Sequence, residues 1–134
     1  MKTGLAKLEV ILKNTRKGYV ESFLPGITDW RSYLSVFNKN NIKPPGPFFQ
    51  LYEWRNGLSF SSEKKFAEMW LMPLAMFLPL EDAFEFNEEV NKNAIYWSNN
   101  HLPIFSSMAG DLLLLDCDDQ SENYGSIFNY SFHD

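Results

Sequence analysis

Residues 102–116 read LPIFSSMAGDLLLLD, and this stretch decides the fold. Residues 106–110 are small or flexible, so they predict a tight turn. Residues 112–115 form a continuous apolar run between two aspartates, which is too short for a helix and typical of a strand buried on both faces. The stretch therefore predicts a β-hairpin whose second strand is the most buried strand of the protein, and the other elements must cover it.

Four segments outside this hairpin have the apolar spacing of helices. In chain order they are residues 3–13, residues 28–39, a helix that begins near Pro44 and Pro45 and ends at Asn56 and Gly57, and residues 80–90. Ile11 in the first helix and Leu34 in the second are predicted to face the core. Residues 69–72, 75–78 and 125–130 are predicted strands.

The composition indicates a folded, cytoplasmic protein of one domain. The chain has 134 residues, of which 45% are hydrophobic, and it includes 12 Phe, 6 Tyr and 4 Trp, which argues against disorder. The single cysteine, Cys117, permits no internal disulfide, and neighbouring aspartates should raise the pKa of its thiol and keep it unreactive. No stretch has the apolar length of a membrane span or the apolar core of a signal peptide, so we expect a reduced, cytoplasmic protein with no membrane partner.

Charge is divided unevenly along the chain. Residues 1–67 hold 11 Lys and Arg against 5 Asp and Glu, whereas residues 68–134 hold 1 against 12, so the halves carry +6 and −11 and sum to the net charge of −5. One interpretation is ordinary solubility, and the other is an acidic face that steers the protein toward a basic partner. Nucleic acid is disfavoured as a partner, because phosphate binding requires clustered Lys and Arg.

Candidate catalytic and metal-binding residues are sparse. His101 and His133 have no second ligand at the spacing of a metal site. A serine triad of Ser106 or Ser107 with a histidine and an aspartate lacks the Gly-x-Ser-x-Gly turn that would support it. We predict a protein that is not an enzyme and requires no cofactor or metal.

A dense group of acids follows the hairpin, and it consists of Asp116, Asp118, Asp119 and Glu122. The pattern Asp-x-Asp is similar to the start of a calcium loop, but the later Gly and the bidentate Glu are missing. A solvated turn is the first interpretation of this group, contact with a partner the second and metal binding the third.

Three segments together resemble one family. They are PP at 44–45 with LY at 51–52 and WRNG at 54–57, FLPLEDA at 77–83, and LPIF at 102–105 followed by GD at 110–111, LL at 113–114 and Asp116. In this order and spacing they resemble the SMI1/KNR4 family of the SUKH superfamily, over about residues 26–130.

The resemblance implies one α+β domain over residues 1–134, with helices packed on a mostly antiparallel, twisted sheet. Bacterial members are mostly immunity proteins that bind polymorphic toxins, often nucleases, and they act by binding alone. The resemblance therefore implies a protein-binding module that neutralises a cognate toxin domain. One alternative is a regulatory or scaffold protein without a toxin, as in eukaryotic members, and a second is a metal-dependent hydrolase that uses the cluster at residues 116–119.

A partner surface follows from the charge division and the resemblance together. A nuclease attracts phosphate with a basic surface, which an acidic inhibitor can occupy, while aromatic side chains supply the desolvated anchor that charges do not. The predicted partner-binding residues are Glu85, Glu88, Glu89, Trp97, Asp116, Asp118, Asp119, Glu122 and Tyr124.

Overall fold

A computed structural model describes residues 2–61, 63–72, 75–91, 100–107 and 110–131. Within these ranges the helices are α1 (Lys2–Thr15), α2 (Arg31–Lys39), α3 (Gly46–Trp54), α4 (Phe66–Met69) and α5 (Leu80–Asn91), and a 3-10 turn lies at Val20–Ser22. The strands are β1 (Met76–Phe77), β2 (His101–Ser106), β3 (Asp111–Asp116) and β4 (Ile127–Ser131). The predicted α+β class is confirmed.

The four strands form one antiparallel sheet in the order β1-β2-β3-β4. β2 and β3 form the predicted hairpin, with Leu102 opposite Leu115 and Pro103 opposite Leu114. The register then shifts between Pro103 and Phe105, so β2 contains one residue more than the facing part of β3. Such a bulge locally increases strand twist. The sequence predicted the hairpin correctly because both strands and the turn are local signals.

β2, rather than β3, is the more completely buried strand of the hairpin, which corrects the prediction. Every residue of β2 after His101 is buried, whereas Leu113 of β3 is only half-buried. The reason is position, because α5 packs against β2. The side chains of β3 divide between the two faces of the sheet. Leu115 joins the main core, while Leu112 and Leu114 form a separate cluster with Tyr130.

The helices lie close to their predicted positions, but two of their apolar residues do not face the core. Ile11 of α1 is 57% exposed and Leu34 of α2 is 43% exposed. α1 is buried through Leu5 and Leu12, and α2 through Phe37, so each buried stripe is narrower than the apolar pattern predicts.

The segment before β1 differs most from the prediction. The strand predicted at 69–72 is absent: the short helix α4 ends at Met69, and Met72 makes an isolated bridge to Ala75. The strand predicted at 75–78 shortens to β1, two residues that pair with β2. Residues 73 and 74, which separate the two predicted strands, lie outside the described ranges.

Candidate partner-binding surface

Hydrogen bonds that involve residues at and just after the end of α3 fix the start of the acidic helix α5. The side-chain Oδ1 of Asn56 accepts a hydrogen bond from the backbone N–H of Leu80 at 2.8 Å. The buried hydroxyl of Tyr52 donates to the carbonyl of Leu78 at 2.8 Å. Asn56 thus satisfies a buried N–H in the first turn of α5, which would otherwise have no partner in its own helix. Asn56 was expected to help end α3, but that helix stops at Trp54 and the Asn56 side chain serves α5.

Gly57 permits the close approach of the segments at the end of α3 and the start of α5. Its φ is +70°, and a Cβ placed on it would lie 2.3 Å from the backbone carbon of Leu78. Only glycine combines this conformation with so short a backbone distance. Residues 54–57 and 77–83, which both carried the family resemblance, therefore meet in space. We call Tyr52, Asn56, Gly57 and residues 78–80 the α3–α5 joint.

Glu81 is held by the same region. It accepts hydrogen bonds from the Tyr33 hydroxyl and from Asn56 Nδ2, the latter at 3.2 Å. Burial acts to raise the pKa of Glu81, but the hydrogen bonds from Tyr33, its own backbone and Asn56 outweigh it and leave the pKa below its usual value. Burial, then the hydrogen bond and charge of Glu81, raise the pKa of Tyr33 to about 12. Glu81 is therefore a structural acid.

Two of the predicted partner-binding acids of α5 are exposed. Glu85 and Glu88 lie three residues apart, at the spacing of one helix face, and both are exposed to solvent. Asp82 is half-buried, and burial followed by the charges of Glu85 and Glu81 raises its pKa. The side chain of Glu89, and all of Trp97, lie outside what the structure describes.

Asp116 occupies a different position from the one predicted for a partner contact. Its side chain is only 4% exposed. Oδ1 accepts a hydrogen bond from the N–H of Asp118 at 3.0 Å, and Oδ2 accepts one from the Ser121 hydroxyl at 2.7 Å. The Asp116 carboxylate is thus buried and bonded to two residues of the segment that follows it. Asp116 therefore shapes the loop, and its neighbours form the outer surface.

The residues after Asp116 form an ordered acidic loop, which we define as residues 117–126. Asp118 Oδ1 accepts from the N–H of Gln120 at 3.0 Å, and its carbonyl accepts from the N–H of Ser121 at 3.0 Å. Gly125, at φ 82°, closes the loop by donating to the carbonyl of Asp116 at 2.9 Å. Asp119 and Glu122 are exposed on this frame, and Asp118 is half-buried.

The segment between α2 and α3 holds the acidic loop against the body of the protein. The N–H of Lys43 donates to the carbonyl of Cys117 at 2.8 Å, and the carbonyl of Lys43 accepts from the Tyr124 hydroxyl at 2.7 Å. The Lys43 ammonium also lies 3.5 Å from Asp119 Oδ2. This ion pair is half-exposed and adds at most about 1 kcal/mol. The backbone contacts therefore do most of the positioning.

The side chain of Cys117, the first residue of the acidic loop, packs in the core. The side chain is fully buried in the main core. Burial, and then the charge of Asp116, raise the pKa of its thiol to about 12. A thiol of this kind remains protonated at neutral pH. Of the neighbouring aspartates expected to raise this pKa, Asp116 contributes, and burial is the larger cause.

Three exposed apolar side chains follow the acids of the loop. Tyr124, Phe128 and Ile127 are 37%, 37% and 53% exposed. Tyr124 was predicted as a contact residue, whereas Ile127 and Phe128 were missed. Their only signal in the sequence is a last strand without charged residues. Their exposure depends on β4 lying at the edge of the sheet, which the pattern of one strand does not reveal.

The acids do not gather around a common point in the described ranges. No group of three or more His, Cys, Asp or Glu side chains there is arranged to hold a metal ion. In the hairpin, His101 Nε2 lies 3.9 Å from Asp116 Oδ1. Among the same residues, no helix is long and apolar enough to cross a membrane.

The helices and the antiparallel sheet form an α+β domain. The exposed acids of α5 and of the acidic loop form the candidate binding surfaces. The sequence profile described as the SMI1 / KNR4 family (SUKH-1) matches residues 35–134, which is most of the chain. The chain belongs to this family, and the resemblance is confirmed. A search of curated proteins finds no significant match. α1 precedes the matched region and packs against α3 inside it.

Proposed function

We propose that this protein is a non-enzymatic binding module, an immunity protein that neutralises a cognate bacterial toxin domain in the cytoplasm. Membership of the SMI1 / KNR4 family supports this class of function. The observation that carries the proposal is the acidic loop, in which one buried carboxylate orders the backbone while Asp119 and Glu122 remain exposed.

The order of the loop matters for affinity. A loop that is already fixed by the bonds of Asp116 and Lys43 loses little conformational entropy when a partner binds. Its charge attracts a basic partner at long range and speeds association. A toxin that acts on nucleic acid carries such a basic surface, and a protein seated on that surface blocks the substrate. The proposed contacts are Glu85, Glu88, Glu89, Trp97, Asp118, Asp119, Glu122 and Tyr124.

The direct test requires a candidate toxin domain, sought among the genes that neighbour this one and expressed with an inactivating substitution. We expect the purified proteins to form a complex, and we expect cells that carry the active toxin domain to grow only when this protein is present. The triple variant Asp118→Asn, Asp119→Asn and Glu122→Gln should associate at least about tenfold more slowly at low salt, with a weaker dependence on salt, because steering falls with charge.

A matched control removes the same charge elsewhere. Glu21, Glu53 and Glu63 are exposed acids of the basic half, so changing all three to Gln also removes three negative charges. At physiological salt this control should keep an association rate within about threefold of the wild type, since charges farther than about 8 Å from the contact are then largely screened. Equal slowing of both triple variants would show that net charge, rather than the acidic loop, drives association. Failure of the wild type to bind or protect would contradict the proposed function itself.

A further inference from the structure

β4 is an edge strand that carries little protection. It pairs with β3 on one side, and no other strand among the described residues pairs with its second side. Its residues Ile127, Phe128 and Asn129 are all exposed. Proteins usually protect such edges with lysine, proline or inward charges, because an open edge pairs with other chains. Ile127–Ser131 contains none of these residues.

The hydrogen-bond pattern shows which backbone groups point outward. The N–H of Asp116 donates to the carbonyl of Ser126 at 2.9 Å, and Leu115 lies opposite Ile127. Hydrogen-bonded and non-hydrogen-bonded pairs alternate along an antiparallel ladder. Because this bond joins Asp116 to Ser126, the next pair, Leu115 and Ile127, is a non-hydrogen-bonded one. The backbone N–H and C=O of Phe128, the next residue, then point toward β3. The N–H and C=O of Ile127 and Asn129 therefore point away from the sheet.

Side chains on both faces flank this open edge. Ile127 lies opposite Leu115, a main-core residue, whereas Phe128 lies opposite Leu114, which belongs to the cluster on the other face. At 53% and 37% exposure, the two side chains present apolar surface on either side of the outward backbone groups. A strand that pairs with β4 would cover both.

The charge beside this edge selects the occupant. The acidic loop ends where β4 begins, so the loop that carries Glu122 and Asp119, the latter 3.5 Å from the Lys43 ammonium, leads into the open edge. A second copy of the chain also carries a net charge of −5, so the two copies would repel each other, whereas the acidic loop attracts a basic strand. We infer that the outer edge of β4 binds a strand of the partner protein, with the lysine or arginine side chains of that strand beside the acidic loop. The identity of the partner as a toxin domain rests on the proposed function.

The first test removes one outward donor. Asn129→Pro deletes the N–H that a paired strand would use but leaves the ladder to β3 intact, and edge positions tolerate proline. Asn129→Ala is the matched control, because it changes the side chain and keeps the N–H. The probe is a ten-residue peptide that alternates lysine and valine, titrated at low salt. We expect wild type and Asn129→Ala to bind it alike and Asn129→Pro to bind at least about tenfold more weakly, since backbone bonds dominate strand addition.

A second peptide tests the charge. Replacing lysine by glutamate in the probe should abolish binding, and protection of the Ile127 and Asn129 amides from hydrogen exchange should appear only with the lysine peptide. Equal binding of the lysine peptide to Asn129→Pro and to wild type would overturn the inference. Equal binding of the two peptides would do the same.

The toxin domain separates this inference from the proposed function. If it binds wild type and Asn129→Pro equally, the β4 inference is overturned while the proposed function stands. If it does not bind wild type, the proposed function fails, and the peptide titrations still decide the β4 edge. Should Asn129→Pro melt early, Ile127→Lys with Asn129→Lys replaces it, because added positive charge repels a basic strand. A concentration-dependent dimer that Asn129→Pro abolishes would assign the edge to a second copy and overturn the inference.

Discussion

The α3–α5 joint and the acidic loop each depend on one polar side chain, but one side chain connects distant segments and the other bonds to nearby residues. Asn56 lies between two segments that are distant in sequence and satisfies the first turn of α5. The Asp116 carboxylate accepts hydrogen bonds from residues two and five positions later. The comparison teaches that the joint supports the whole fold, whereas the Asp116 bonds determine the shape of one surface. The joint should therefore resist substitution more strongly than the loop.

The largest effect is expected at Gly57. Gly57→Ala places a methyl group 2.3 Å from backbone atoms at a φ of +70°, and neither segment can move without disturbing the core. We expect the free energy of unfolding to fall by about 4 kcal/mol or more. Gly46→Ala is the control, because a Cβ there has no atom within 4 Å. Similar denaturant midpoints for the two variants would contradict a tight joint.

Asn56→Ala should have the next largest effect. The change leaves the N–H of Leu80 buried without a partner and removes one donor to Glu81, which should lower the free energy of unfolding by about 2 kcal/mol. Asn40→Ala is a suitable comparison, because its side chain bonds only within its own helix end. A loss at position 56 no larger than that at position 40 would weaken the proposed role of Asn56.

Asp116→Ala tests the other side of the comparison. Two hydrogen bonds to the carboxylate are lost within one loop, so we expect a fall of about 1 to 2 kcal/mol in the free energy of unfolding. Association with the proposed toxin partner should slow although no exposed acid is removed. Asp116→Asn retains an acceptor for the N–H of Asp118 and should lie between the variant and wild type. If Asp116→Ala associates at the wild-type rate, the order of the loop does not contribute to binding.

The pH dependence of stability should reveal Glu81. Its pKa is lower in the folded state than in the unfolded chain, so its contribution is present above the unfolded value and is lost as pH falls through the folded value. We expect wild type to lose more stability than Glu81→Gln between neutral pH and the folded pKa of this carboxyl. Tyr33→Phe should reduce the difference, because it removes one of the bonds that lower that pKa. Parallel stability curves for wild type and Glu81→Gln would contradict this assignment.

The smallest effect is expected from metals. Asp116 uses its oxygens inside the loop, so melting curves in EDTA, calcium and magnesium should superimpose. A melting temperature that rises with metal concentration would contradict this expectation, because a ligand of the native state stabilises it.

The elements that the sequence predicted best are those whose signals are local. The hairpin of residues 102–116 and the helix that begins at Leu80 follow from an apolar run, a turn and an acidic periodic segment. The exposure of Leu34, the burial of Asp116 and the edge position of β4 depend on which element lies beside each residue. No periodicity in one segment contains that information. The short helix α4 was missed because four residues are too few to show a helical period.

The anchoring of the acidic loop has a consequence for how recognition can evolve. The loop is held by Asp116, by Gly125 and by backbone atoms of Lys43 and Cys117. Residues 119, 120, 122 and 123 lie exposed between these anchors. Substitutions at those four positions can alter charge and shape without breaking an anchor, so specificity can diverge at little thermodynamic cost. A library randomised there should yield folded variants at high frequency, whereas one randomised at positions 116 and 125 should not.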